Sequence, residues 1–155
     1  KDRIIPDCYR AIKEKKDMQV RNPFSIRPYQ YVLEPLILYL NILALQKKDK
    51  RDEGNYNIGP DKKDCLTTKE LVNNFYEAWQ SYTTIPDVIF DKPKQKAHHE
   101  ASFLRLDNTL IKKVYKYKPI FNMKETMKYT TKVYYDILCK KNIYKSICDI
   151  VKKQK

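Results

Sequence analysis

Glycine is nearly missing: there are 2 in 155 residues, Gly54 and Gly59. A turn that seats a dinucleotide pyrophosphate needs several glycines a few positions apart, so that backbone N–H groups can approach the phosphates at a helix N-terminus. No G-x-x-G-x-x-G can be written with two, so such a loop is excluded within this sequence. Histidine is equally scarce, with only the adjacent pair His98-His99. Neighbours on a strand point to opposite faces, so joint metal ligation is not expected. The four cysteines, Cys8, Cys65, Cys139 and Cys148, include no C-x-x-C spacing. That spacing is what zinc and dithiol redox sites need. No secretory signal precedes them, and they read as reduced thiols of a cytoplasmic protein. The apolar run from Leu33 to Leu45 is shorter than the about 20 residues that span a bilayer, so it reads as a buried helix.

Positive charge, by contrast, is abundant: the formal net charge is +13. Such an excess suggests phosphate-bearing partners. The lysines are spread along the chain rather than gathered in a stripe, and Lys, Asn, Ile and Tyr are plentiful together, as codons rich in A and T would produce. A basic helical nucleic-acid-binding module is therefore the alternative reading, and it lacks a helix-turn-helix, zinc or RNA-motif signature.

Taken in order, the sequence predicts a first helix over 4–16, capped by Asp2 and with Pro6 in its first turn. Met18 to Arg21 reads as a strand, Asn22 to Ser25 as a turn, and Ile26 to Tyr31 as the partner strand of a hairpin. Glu34 and Pro35 open a helix running to about Gln46, apolar nearly all round and so expected to be buried on more than one side. A charged loop over 47–54 leads to a short strand, Asn55 to Ile58. Thr67 or Thr68 caps a helix through Tyr82, with Leu71, Val72, Phe75, Ala78 and Trp79 at core spacing. A strand at 86–90, a basic loop at 91–97 and a strand at 101–106 follow. Asp107 caps a helix through Tyr117, with Leu110, Ile111 and Val114 inward. Two more helices complete the pattern, 123–139 and 143–151. No linker divides the chain, so residues 1–155 are expected to form one unit of α+β class, mainly helical with short strands.

The stretch from Arg21 to Pro35 carries the chemistry. Arginine is planar, permanently charged and forks onto phosphate oxygens. Arg21 and Arg27 flank the turn, and Tyr29 follows on the returning strand. That set suits a nucleoside diphosphate, although two arginines on a hairpin can equally be surface residues.

The stretch reads R-N-P-x-x-x-R-P-Y-Q-x-V-L-E-P, and it resembles the corresponding segment of the CDP-glucose 4,6-dehydratases, which are extended short-chain dehydrogenase/reductase proteins. Three further segments keep the family's order. Asp2 to Asp7 is similar to its D-R-I-I-P-D. Asn57 to Pro60 is similar to its N-x-G-P. His99-Glu100-Ala101 with Leu104, Leu106 and Asp107 is similar to its H-E-A-x-x-L-x-L-D. Four segments in register over most of the chain make the resemblance specific.

The resemblance implies the substrate-binding part of such a protein, lying after the catalytic pair and lacking the amino-terminal Rossmann domain. Complete members are roughly twice as long, as a cofactor domain plus a substrate domain requires. Tyr9 and Lys13 spell the family's Y-x-x-x-K, but they lie within the D-R-I-I-P-D segment, downstream of where the true pair stands. They are a decoy, and the chain by itself is expected to be non-catalytic. The residues implied for a CDP-sugar substrate are Arg27 on the phosphates, the strand Met18 to Arg21 along the base with Arg21 stacking on cytosine, and Arg3, Ile4 and Pro6 beneath the nucleotide. Tyr29 and His99 complete the set. Where many relatives have R-P-G-D, this chain has Lys94 to Glu100, and Lys96, His98 or His99 would replace the second phosphate clamp. NAD is implied for the whole protein and no cofactor for this chain. Glu34 could simply cap its helix. The long apolar helix is expected to pack against the missing cofactor domain, or to drive self-association when that domain is absent.

Overall fold

The computed structural model describes residues 3–46, 53–92 and 102–152. Six helices and four short strands form a mainly helical α+β arrangement among the described residues. The helices are α1 (Ile4–Glu14), α2 (Leu33–Gln46), α3 (Thr68–Gln80), α4 (Thr109–Tyr115), α5 (Met123–Leu138) and α6 (Tyr144–Lys152). The strands are β1 (Met18–Val20), β2 (Ile26–Arg27), β3 (Leu66–Thr67) and β4 (Val88–Phe90).

The main core lies where α1, α3 and α5 meet β1. Leu71, Val72, Phe75 and Trp79 on α3 are fully buried, as their spacing predicts, together with Cys8 and Ile12 of α1 and Met127 of α5. The Trp79 ring packs at a tilt against Phe75 and edge-on against Tyr135, with centroids 5.5 and 6.3 Å away. Tyr9 of the Y-x-x-x-K decoy belongs to this core, its ring 4.8 Å from Tyr134 and 6.1 Å from Trp79. Burial pushes the Cys8 thiol up to about 12, so it stays a protonated, inert thiol.

Both α3 and α5 begin with a reciprocal capping box. Thr67 accepts from Glu70 N–H at 3.1 Å and Asn122 from Glu125 N–H at 3.0 Å, while each glutamate reaches back to the cap's own N–H. The start of α1 differs: Asp2 lies outside the described residues, Arg3 is the N-cap, and Arg3 N–H donates to Asp7 Oδ2 at 3.0 Å. The carboxylate of Asp136 on α5 clasps α6, accepting from Ser146 Oγ at 2.8 Å and from Lys132.

The expected hairpin does not form. Strand β1 pairs in parallel with β4, Met18 opposite Val88 and Val20 opposite Phe90. Strand β2 instead pairs antiparallel with β3, Ile26 opposite Thr67. The turn between them explains why. Pro23 O accepts from Lys69 N–H at 2.8 Å and Ser25 O from Thr68 N–H at 2.9 Å, so the turn carbonyls satisfy the first orphan donors of α3. The chain is drawn onto that helix end and cannot fold back along β1.

Other expectations change as well: Leu110, expected to point inward from α4, is 52 % exposed. No strand forms over residues 55–58; Tyr56 packs edge-on against Tyr115 instead, with centroids 5.2 Å apart. The strand over 101–106 shrinks to a single bridge, Phe103 beside Ile26, with Ala101 itself outside the described residues. Helix α2 is not buried on more than one side. Glu34 and Leu38 are its only buried residues, with Ile42 half-buried behind them, while Leu36, Tyr39, Leu40 and Leu43 lie exposed on the outer face. Among the described residues, no helix is long and apolar enough to cross a membrane.

Candidate functional site

The turn that fails as a hairpin builds a cleft. Held against α3 on one side and beside α1 on the other, it borders a cavity of about 800 Å³. Strand β1 supplies one wall with Gln19, and Arg21 follows it. Strand β2 supplies Arg27, and Tyr29 follows it. The start of α1 contributes Ile4. Four of the expected site residues, Ile4, Arg21, Arg27 and Tyr29, therefore line one space.

The remaining three fall elsewhere. Arg3 is exposed at the N-cap of α1 and Pro6 is half-buried in its first turn; neither lines the cavity. His99 lies outside the described residues, as do Lys96, His98 and the rest of the segment 94–100.

The Arg27 guanidinium is half-buried, and its Nη1 donates to Ile26 O at 2.9 Å. That bond holds the planar group beside its own strand. Arg21 stands exposed one residue beyond β1. Carboxylates share the space: Asp7, Asp17 and Asp91 also line it, and Gln19 Nε2 donates to Asp91 Oδ1 at 2.9 Å. A wall with both guanidiniums and carboxylates offers donors for a phosphate and acceptors for amino or hydroxyl groups. No group of metal-ligating side chains is gathered among the described residues.

Sequence reasoning missed the three aspartates, and it also missed two hydroxyl residues of the cleft. Ser25 and Thr68 line it, and their hydroxyls meet Tyr29's at the start of α3. The capping box of Thr67 and Glu70 marked this helix start, but nothing local indicated which loop would cover it.

Glu34, expected at most to cap its helix, does something else. It is 3 % exposed, and its Oε1 accepts from Ile120 N–H at 2.5 Å and Phe121 N–H at 2.9 Å. Its Oε2 accepts from Gln30 Nε2 at 3.0 Å. It thereby ties the segment after Tyr29 to the loop that enters α5.

No family model matches the chain. The CDP-glucose 4,6-dehydratase of Salmonella typhimurium is 30% identical over 128 residues, which are 82% of this chain and 34% of that protein. The chain thus spans about a third of that relative's length. Two solved structures share the fold. UDP-N-acetylglucosamine 4-epimerase from Bacillus cereus superposes with a TM-score of 0.66 at 16% identity, over 87% of this chain and 44% of the other. A GDP-L-fucose synthetase from Naegleria fowleri gives 0.56 at 15% identity, over 85% of this chain and 38% of the other. The chain is thus a homologue of a CDP-glucose 4,6-dehydratase over most of its own length, and it shares the fold of the epimerase and synthetase structures as a carboxyl-terminal part of that fold would.

Proposed function

We propose that this chain is the substrate-binding part of a CDP-glucose 4,6-dehydratase-like protein and that its cleft holds the nucleoside diphosphate of a CDP-sugar. The observation that carries the reading is the convergence of Arg21, Arg27 and Tyr29 on one cavity, from two strands that belong to different sheets. Arg27 takes the phosphates, because a planar, permanently charged guanidinium lining the cavity matches phosphate oxygens. Arg21 at the end of β1 lies over the base, and a flat cation on a flat ring is a favourable stack. Ile4 forms the apolar floor, with Arg3 and Pro6 in the segment beneath. All three relatives carry a nucleoside diphosphate sugar in their names, which supports the ligand class.

The chemistry of water loss belongs to other polypeptide. Tyr9 is packed between aromatic rings, so the local Y-x-x-x-K does not serve as the proton-transfer pair. With two glycines the sequence has no glycine-rich turn for a dinucleotide pyrophosphate, which supports placing the NAD site on other polypeptide. The exposed face of α2 is the proposed contact for that missing part, or for a second copy in its absence.

Titration with CDP in a calorimeter tests the reading. Saturable binding is expected, weakened at least about tenfold by Arg27→Ala, since charge-assisted bonds to phosphate are lost. Binding that survives Arg27→Ala undiminished removes Arg27 from the site, and no binding by the unmodified chain removes the function.

A further inference from the structure

The corner where β2 meets α3 has three hydroxyls within bonding distance. Thr68, the first residue of α3, is 8 % exposed. Its Oγ1 lies 2.9 Å from Ser25 Oγ and 3.0 Å from Tyr29 OH. Ser25 Oγ also lies 3.1 Å from Asn22 O, which only accepts. Each hydroxyl has one proton to give. The arrangement that serves all three contacts runs one way: Tyr29 donates to Thr68, Thr68 to Ser25, and Ser25 to the Asn22 carbonyl. Reversing it sends the Ser25 proton to Thr68 and leaves the Asn22 carbonyl contact without a hydrogen. Thr68 Oγ1 also donates toward Ser25 O at 3.3 Å, and whichever of the two Ser25 oxygens takes it, the Thr68 proton is not available to Tyr29, so Tyr29 remains the donor of that pair. A phenol is also the more acidic and hence the better donor of the three.

The polarity has a consequence for the cleft. With its proton committed to Thr68, the Tyr29 oxygen turns only lone pairs toward the cavity. Lone pairs repel phosphate oxygens and attract hydroxyl donors. The helix end does not offset this, because the first N–H groups of α3 are taken: Thr68 by Ser25 O, Lys69 by Pro23 O at 2.8 Å and Glu70 by Thr67 Oγ1. We propose that Thr68 is a positioning residue that fixes Tyr29 as a hydrogen-bond acceptor for a sugar hydroxyl of the bound nucleotide. This rests on the cleft being the nucleotide site, and it divides that site into a phosphate end at Arg27 and a hydroxyl-reading end at Tyr29.

The test compares ratios of affinity. CDP against 2′,3′-dideoxy-CDP reads a ribose hydroxyl, and CDP-glucose against CDP reads a hexose hydroxyl. Each is measured on the unmodified chain and on Thr68→Val, Thr68→Ser and Tyr29→Phe. In the unmodified chain one of the two ratios should favour the hydroxyl-bearing ligand about 3- to 10-fold, the size of one hydrogen bond. Thr68→Val should bring that ratio to about one, Thr68→Ser should keep it, and Tyr29→Phe should abolish it even if Thr68→Val fails to fold. A purely structural Thr68 would weaken all three ligands by the same factor and leave both ratios unchanged. That result, with CDP still bound, overturns this inference alone. Failure of the unmodified chain to bind any of the three overturns the nucleotide reading and this inference with it.

Discussion

Glu34 is a carboxylate with three donors around it and almost no water. It sits at the second position of α2, where the sequence marks only a helix start; its two backbone partners are 86 and 87 residues further along the chain. Removing it strands two backbone N–H groups in the interior, each costly to leave unpaired. Glu34→Ala should therefore lower stability by about 2–4 kcal/mol in urea unfolding, whereas Glu34→Gln, which keeps an acceptor oxygen, should lose about 1 kcal/mol. Equal losses from the two would show that shape rather than hydrogen bonding matters at this position. Arg27 and Tyr29 show the same division between type and placement. Their chemical roles can be read from residue type, but their convergence with Thr68 depends on contacts 39 to 43 residues apart.

At the scale of the element, the shortage of glycine leaves a mark on helix ends. Lys15, Lys116 and Lys140 all adopt φ 54°, the left-handed conformation that ordinarily falls to glycine. After α5 the closing bonds are Lys140 N–H to Ile137 O at 3.1 Å and Lys141 N–H to Asp136 O at 2.8 Å. The same pair closes α1, Lys15 N–H to Ile12 O and Lys16 N–H to Ala11 O. A β-carbon in that conformation costs about 1 kcal/mol, partly offset by a cation at the negative end of the helix dipole. Lys140→Gly and Lys15→Gly should each raise stability by about 0.5–1 kcal/mol, seen as a higher Tm in thermal unfolding. A fall in Tm would mean that the charge outweighs the strain. Gly59 is a different case: a β-carbon there would stand 3.2–3.3 Å from Leu106, so its reason is close approach. Helices were the legible elements, because capping boxes and apolar spacing are local signals. The strands were legible as segments but not as pairs. Nothing between residues 18 and 27 announces that the turn carbonyls would be claimed by a helix more than 40 residues on.

Across the whole molecule the unusual surface is the outer face of α2, where Leu36, Leu40 and Leu43 recur at helical spacing beside Tyr39, each at least 47 % exposed. An apolar stripe of this kind seeks a partner. At micromolar concentration the chain should sediment above the monomer and bind an apolar dye, and Leu40→Glu with Leu43→Glu should restore a monomer with the CDP affinity unchanged. Monomer alone, without dye binding, would sink this expectation. By itself the sequence determined which segments are helical, which side chains could meet a phosphate, that a glycine-rich cofactor turn is absent, and the resemblance to the CDP-glucose 4,6-dehydratases. These follow from residue type and short-range spacing, which a linear reading contains. Only the tertiary structure decided that β1 and β2 join different sheets, that Ser25 and Thr68 belong to the cleft, and that α2 shows its apolar face to solvent. Those depend on which distant segment satisfies a given backbone donor, and that choice is made when the chain packs.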